Sequence, residues 1–265
     1  MTIIKNWWVV TDLDGTLMDH QYDLSPALET LRWLQESGVP VIPCTSKTAA
    51  EVEQFRSIYG LKDPYIVENG GAVYGQEPDT NSTWNLPLGL RYEELRPILD
   101  DLSRLIGYNL LSFKDLSAVE VEEITGLTGK SITLAQERLW SVPFLTPPRE
   151  FSLKLEKLTP KFNVAILKGN RMSHLISNKT NKGKALNSLK EYLKQPEVKV
   201  FALGDSPNDK DLLDAADVSI VVPGLNGIDP YYINEISSGR FSSALEPHAT
   251  GWALSVRKFF SETSS

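Results

Sequence analysis

Cysteine is almost absent: Cys44 is the single thiol in 265 residues, so no internal disulfide can form and no Cys-based zinc site can be built. Its expected place is that of a small buried hydrophobe at the end of a strand. Long hydrophobic runs are missing too. Nothing approaches the roughly 18 apolar residues that a membrane span needs, and Met1 to Val10 lack the apolar stretch of a secretory signal. Positive charge is scarce, with 27 Lys and Arg against 34 Asp and Glu, a net charge of −7 and a pI near 5.1. That balance argues against general binding to nucleic acid or anionic membrane. The expectation is a soluble, cytoplasmic protein. What is present is ordinary globular usage, 41% hydrophobic and 23% charged, at a length that suggests one large domain or two small ones.

Segment types alternate from the N-terminus. Trp7 to Thr11 is a short aromatic and β-branched run without helical period, hence a buried strand. Ser25-Pro26 then starts a helix carrying Leu28, Leu31 and Leu34, with Gly38 as its stop. Pro40 to Cys44 forms a second strand, and Thr48 with Glu51 makes a capping box for a helix running to Tyr59. Tyr65 to Val67 begins a third strand. Continuously apolar strands alternating with helices imply a parallel sheet covered on both faces. The pattern returns with a helix over Lys182–Lys194, strands over Val198–Leu203 and Val218–Val222, and a short helix at Asp209–Ala216. Between lies a different order: helices at Tyr92–Ile106, Ser117–Thr125 and Lys130–Arg138, and strands at Asn109–Phe113, Asn163–Leu167 and Met172–Ile176. Such mixed order suggests an inserted α+β module, with Gln76–Pro87 as a hinge and a frayed tail at Ser261–Ser265.

Chemistry gathers at strand ends. Asp12-Leu13-Asp14-Gly15-Thr16 follows the first strand, where α/β proteins open their ligand crevice. Two carboxylates so close can share one site, one ligating a hard cation or attacking phosphorus, the other moving a proton. An EF-hand is excluded because Leu17 and Asp23 stand where it requires Gly and Glu. A second acidic loop, Gly204-Asp205-Ser206-Pro207-Asn208-Asp209, follows another strand. If the two strands are neighbours, Asp12, Asp14, Asp205 and Asp209 converge, and an oxygen-only cluster selects Mg²⁺. Thr45-Ser46-Lys47-Thr48 places hydroxyls and a helix start where a phosphate can be held. Lys182 can balance a phosphoryl group and the attacking carboxylate. Lys161, Lys168, Arg171, Lys179, Lys182 and Lys184 form a stretch without acidic residues that either draws in an anionic substrate or is a solvated face. His174 lies inside it.

In this order and spacing, Asp12-x-Asp14-Gly15-Thr16, Thr45, Lys182 and Gly204-Asp205-x-x-Asn208-Asp209 resemble the four motifs of the haloacid dehalogenase superfamily of phosphatases. The resemblance implies a Rossmann-like core at residues 1–84 and 178–265, with a C2-type (C2B) α+β cap at 85–177. It makes Asp12 the nucleophile and Asp14 the proton carrier, with Thr45, Ser46 and Lys182 on the phosphoryl group. Mg²⁺ would be held by Asp12, the carbonyl of Asp14 and Asp205, with Asp209 in support. Val67-Glu68-Asn69-Gly70-Gly71, Thr125-Gly126-Leu127, Ala135-Gln136-Glu137-Arg138 and Gly251-Trp252 are similar to mannosyl- and glucosyl-3-phosphoglycerate phosphatases. That likeness implies a glycosyl ester of 3-phosphoglycerate as substrate. It also makes Lys47, Glu68, Asn69, Gly70, Arg138, Arg171, His174 and Asn208 candidates for contact with this anionic sugar phosphate.

Two positions depart from the pattern. No acidic residue stands in Leu139-Trp140-Ser141-Val142-Pro143, and Asn181 replaces an acidic residue before Lys182. Other sugar-phosphate phosphatases, such as one for sucrose-6-phosphate, a phosphomutase and a non-catalytic sensor of a phosphorylated metabolite are the competing readings. A monomer and a homodimer are both compatible with the sequence.

Overall fold

The computed structural model describes residues 6–19, 21–77, 80, 82–169 and 171–263. At its centre is a parallel sheet ordered β11-β10-β9-β1-β2. The strands are β1 (Trp7–Thr11), β2 (Val41–Pro43), β9 (Lys199–Gly204), β10 (Val218–Val221) and β11 (Ser242–Ser243). All five residues of β1 are buried, which places it in the interior of the sheet. Successive side chains point to opposite faces. Trp7 and Val9 therefore join one apolar cluster, with Leu31 and Leu34 of α1 (Leu28–Glu36), Phe55 of α2 (Ala49–Tyr59) and Trp252, Val256 and Phe260 of α10 (His248–Thr263). Trp8 and Val10 join the other, with Ala185, Leu186 and Leu189 of α7 (Lys182–Tyr192) and Leu212 and Leu213 of α8 (Lys210–Asp214).

Register decides where chemistry can occur. Thr11 lies opposite Leu203, and Asp12 N–H donates to the Leu203 carbonyl at 3.0 Å. The two acidic loops thus leave adjacent strands side by side.

The third strand differs from expectation. β3 (Tyr65–Val67) meets the residue that follows β2 through one isolated parallel bridge, Cys44 to Ile66, while its ladder is antiparallel to β4 (Ala72–Gln76). Nor is Gln76–Pro87 simply a hinge: β5 (Thr83–Pro87) pairs with β4 as a hairpin, and residues 78, 79 and 81 lie outside the described residues. Trp84 packs across Gly75, where an added Cβ would sit 2.2 Å from the ring. Pro87 closes an edge strand, a position that tolerates a missing N–H.

The intervening residues form α3 (Tyr92–Ile106), α4 (Ala118–Thr125), α5 (Lys130–Gln136), β6 (Val142–Phe144), α6 (Arg149–Leu158), β7 (Val164–Lys168) and β8 (Ser173–Ser177). An antiparallel sheet β6-β8-β7 carries α3 and α6 over a core of its own, including Leu95, Leu99, Leu102, Phe144, Leu155 and Leu175. Asn109–Phe113 is not a strand. Ser112 makes one bridge to Phe144, and its side chain and N–H both donate to Asp115, opening a 3₁₀ turn instead. β6 and α6 escape the sequence pattern because β6 is three residues long with a central proline and α6 follows Pro147-Pro148. α5 ends at Gln136, so Arg138 stands on a loop.

Past β10, α9 (Ile233–Ser237) and α10 complete the fold. Ser261–Thr263 continue α10 rather than fray, and residues 264 and 265 lie outside the described residues. No helix among the described residues is long and apolar enough to cross a membrane.

Leu99 is fully buried in the second core, so Leu99→Ala is expected to lower stability by about 2–5 kcal/mol. The exposed Leu254 should cost within about 0.5 kcal/mol when changed to Ala. Urea unfolding of both variants measures the difference.

Candidate active site

Asp12 continues directly from β1 and Asp205 from β9. Asp209 closes the 3₁₀ turn Pro207–Asp209 that leads into α8. One carboxylate oxygen from each lies within 4.8 Å of the other two. Gly15 makes this closeness possible. Its φ of +92° suits glycine, and an added Cβ would stand 2.6 Å from Asp205 Oδ2. Thr16 Oγ1 donates to Asp205 Oδ1 at 2.7 Å. Asp209 Oδ2 accepts from the N–H groups of Asp205 and Ser206, both at 3.1 Å, so this carboxylate also shapes its own loop.

Lys182 opens α7 and is fully buried. Its ammonium donates to Asp12 Oδ1 at 2.6 Å and to Asp209 Oδ1 at 2.5 Å. Asn181 caps the helix by accepting from Lys184 N–H at 2.7 Å. That accounts for its tolerance at a position expected to be acidic, since Asn and Asp cap equally well. Burial opposes the charge on Lys182, but Asp12 and Asp209 outweigh it and hold the ammonium protonated. Asp12 is pushed up to about 7, by burial first, with the neighbouring charges of Asp209 and Asp14 adding to it and Lys182 opposing. Asp205 is raised well above the usual carboxylate range by burial and then by Asp209 and Asp12.

A hard divalent cation fits this donor set. Lys182 takes one oxygen of Asp12 and Thr16 one of Asp205, which leaves the second oxygen of each to a cation among the described residues. Both oxygens of Asp209 are engaged, so it supports more than it ligates. Carboxylate oxygens without sulfur or imidazole favour a cation of the magnesium class.

Above the carboxylates lies a cavity of ≈ 140 Å³ walled by both layers. From the core come Asp12, Asp14, Ser46, Lys47 and Asn208; from the inserted layer come Arg138, Arg171 and His174. Lys47 pairs with Asp14 at 2.9 Å, lies 3.7 Å from Glu51 and sits over the Tyr22 ring at 4.7 Å. Thr45 is buried behind the cavity, where its hydroxyl accepts from Lys47 N–H at 3.2 Å. His174 is buried, and its Nδ1 has no hydrogen-bond partner among the described residues. Burial, then the charges of Arg138 and Lys182, press its pKa down to about 3 and keep the ring neutral. Arg138 donates to the Ser46 carbonyl at 2.9 Å and Arg171 to the Thr125 carbonyl, so both arginines bridge between segments.

Three of the substrate-contact candidates do not line the cavity. Glu68 is buried, and its carboxylate accepts from Leu139 N–H at 2.9 Å, Trp140 N–H at 3.0 Å and Ser141 Oγ at 2.7 Å. It ties the core to the inserted layer instead. Asn69 accepts from Asn208 at 3.1 Å. Gly70 lies against the Asn181 carbonyl, where a Cβ would approach to 2.3 Å. The basic stretch is mostly a solvated face as well. Lys161, Lys168, Lys179 and Lys184 are exposed, and only Lys182 and Arg171 reach the site. Tyr22, Phe113, Leu127 and Met172 also line the cavity. Leu127 lies in the Thr125-Gly126-Leu127 segment that carried the resemblance, whereas nothing in the sequence spacing marks Tyr22, Phe113 or Met172, which tertiary packing brings there.

The profile of haloacid dehalogenase-like hydrolases matches residues 9–224. The chain belongs to the haloacid dehalogenase-like hydrolase family. Two relatives of this hydrolase carry the same description, glucosyl-3-phosphoglycerate/mannosyl-3-phosphoglycerate phosphatase. The one from Persephonella marina is 29% identical over 96% of this chain and 97% of its own. The one from Methanococcoides burtonii is 35% identical over 85% and 88%. A haloacid dehalogenase-like hydrolase from B. subtilis has the same fold at a TM-score of 0.69, with 18% identity, over 94% of this chain and 98% of its own.

The raised carboxyl of Asp12 links cation and pH. Its ordinary value is 3.8 and its folded value about 7, so the folded state holds this proton more tightly. The cation-free fold therefore loses stability as pH rises from about 4 through 7. A cation must displace that proton at low pH and need not at high pH. Mg²⁺ is expected to raise the melting temperature more at pH 8 than at pH 5; an equal rise at both would contradict the cluster as a cation site.

Proposed function

We propose that this phosphatase hydrolyses the phosphomonoester of a glycosyl-3-phosphoglycerate, mannosyl or glucosyl, with Mg²⁺ as its cation and an aspartyl-phosphate at Asp12 as intermediate. The observation that carries the chemistry is the buried ammonium of Lys182 between Asp12 and Asp209, behind a cavity that Asp12 and Asp14 line. The substrate reading is supported by the two relatives, which share one description over 96% and 85% of this chain. Residues 1–84 and 178–265 act as the catalytic core and 85–177 as the cap.

In this reading the substrate phosphate enters beside Asp12, with Ser46, Thr45 and Lys182 holding the phosphoryl oxygens. Bound Mg²⁺ supplies positive charge for the oxygens of the transferring group. An oxygen of Asp12 forms a bond to phosphorus as the ester P–O bond breaks, and Asp14 delivers its proton to the departing oxygen. Asp14 then takes a proton from water as that water attacks phosphorus, the Asp12–phosphorus bond breaks, and phosphate leaves. Lys182 offsets the charge of Asp12 and the phosphoryl group throughout. Arg138, Arg171 and neutral His174 form the opposite wall, where a cation can meet the glycerate carboxylate and an imidazole nitrogen can meet a hydroxyl. Lys47, paired with Asp14, stands between the two regions.

The test is phosphate release with Mg²⁺ from mannosyl- and glucosyl-3-phosphoglycerate, beside sucrose-6-phosphate and free 3-phosphoglycerate. Preference for a glycosyl ester of 3-phosphoglycerate is expected, and preference for sucrose-6-phosphate would overturn the substrate assignment. Asp12→Asn should abolish turnover with an unchanged circular dichroism spectrum. Lys182→Ala should lose orders of magnitude in rate; a loss under about tenfold, or 1.4 kcal/mol, would deny it a part in the reaction.

A further inference from the structure

The C-terminal helix lies outside residues 9–224, which the family profile matches, yet its first two turns hold the nucleophile loop from both ends. His248 and Trp252 are four residues apart on α10 and so share one helix face. Both are buried, Trp252 completely. His248 Nδ1 lies 2.8 Å from the Gly15 carbonyl oxygen. A carbonyl has no proton to give, so Nδ1 carries the hydrogen. Trp252 Nε1 donates to Thr11 Oγ1 at 3.0 Å, and Thr11 Oγ1 donates in turn to the Asp12 carbonyl at 2.7 Å. The two contacts flank Asp12 and Asp14 in sequence.

We propose that His248 is a positioning residue for catalysis: by fixing the Gly15 carbonyl it sets the loop that carries Asp12 and Asp14 against Asp205. Gly15 N–H donates to the Met18 carbonyl at 2.8 Å, which ties the residue on its N-terminal side, but the peptide that follows it is tied more loosely. Thr16 N–H makes a long bond of 3.3 Å to the Leu13 carbonyl, and Thr16 Oγ1 reaches across to Asp205. Losing the His248 donor leaves a buried carbonyl unpaired next to Gly15, whose φ of +92° is open to other conformations. The loop then relaxes, carrying Thr16 away from Asp205 and Asp14 from the cavity. His248 itself has φ of +48°. Non-glycine residues take this conformation at a cost, and such residues cluster at functional sites. Its N–H donates to the Pro223 carbonyl at 3.1 Å, which holds that backbone in place.

The inference rests on Asp12 and Asp14 being the reacting groups, but not on which sugar phosphate is cleaved. His248→Gly removes the donor and accepts the positive φ without strain. His248→Asn keeps an N–H the same number of bonds from the backbone and also tolerates positive φ. Two readouts on the full chain decide: kcat and KM for hydrolysis of p-nitrophenyl phosphate, and the rise in melting temperature produced by Mg²⁺ alone. His248→Gly should lower kcat by about 10–100-fold with little change in KM and should diminish the Mg²⁺ effect; His248→Asn should restore both to near wild type. Wild-type values in the Gly variant, or an Asn variant no better than Gly, overturns the proposal. A wild-type protein inactive on p-nitrophenyl phosphate would count against the proposed function, and the Mg²⁺ readout would then decide the role of His248 by itself.

Discussion

A lysine with no solvent exposure between two carboxylates is the constraint around which the molecule is arranged. Lys182 lies 170 residues from Asp12 and 27 from Asp209 along the chain. To bring the three together, the end of β1, the start of α7 and the turn before α8 must meet within a few ångströms. Removing one partner of such a buried pair leaves an uncompensated charge and costs roughly 3–5 kcal/mol. One ammonium against three gathered carboxylates still leaves negative charge in excess, which is why the cluster suits a cation. The same imbalance makes it suited to a phosphoryl group only when that cation is present.

Around this centre the two layers divide their tasks. Carboxylates, lysine and hydroxyls come from strand ends and helix starts of the parallel sheet, which are rigid and tolerate little displacement. Arg138, Arg171 and His174 come from the inserted layer. Hydrogen bonds join the layers near the cavity, among them Thr48 Oγ1 to the Leu134 carbonyl at 2.8 Å, Arg138 to the Ser46 carbonyl, Arg171 to the Tyr22 hydroxyl at 3.3 Å, and Glu68 to residues 139–141. Glu68 is held above the usual carboxylate range by burial, against the pull of Arg138 and its hydrogen bonds. A buried acid of this kind fixes the segment Leu139–Ser141 and thereby aims its neighbour Arg138. The structure thus gives Glu68 a part in shaping the cavity without lining it.

The C-terminal helix adds a third layer of support. Gly251 lets its first turn pack against the preceding loop, since a Cβ there would meet the Glu246 carbonyl at 1.8 Å. Trp252 then fits under β1 and His248 under the turn that follows. Thr11 and Gly15 are engaged by Trp252 and His248, and Thr16 by Asp205, so the backbone around Asp12 and Asp14 is held while the cavity opens above.

The sequence by itself determined the acidic loops, their attachment to strands, and the lysine that opens α7. Each is a contiguous motif at the junction of two elements, and local apolar patterning fixes those junctions. It also determined the parallel sheet, because β1 and β9 are apolar on both faces. It did not determine the β4–β5 hairpin, which depends on Trp84 lying across Gly75, or the loss of a strand at Asn109–Phe113, where Asp115 captures Ser112. Glu68 became a candidate for substrate contact through the resemblance carried by Val67-Glu68-Asn69-Gly70-Gly71; its partners, about 71 to 73 residues away, hold it between the layers instead. His248 and Tyr22 carried no signal at all. Periodicity and motif spacing report on neighbours along the chain, whereas the cavity wall and the grip on the Asp12–Thr16 loop are made by side chains that only packing brings into contact.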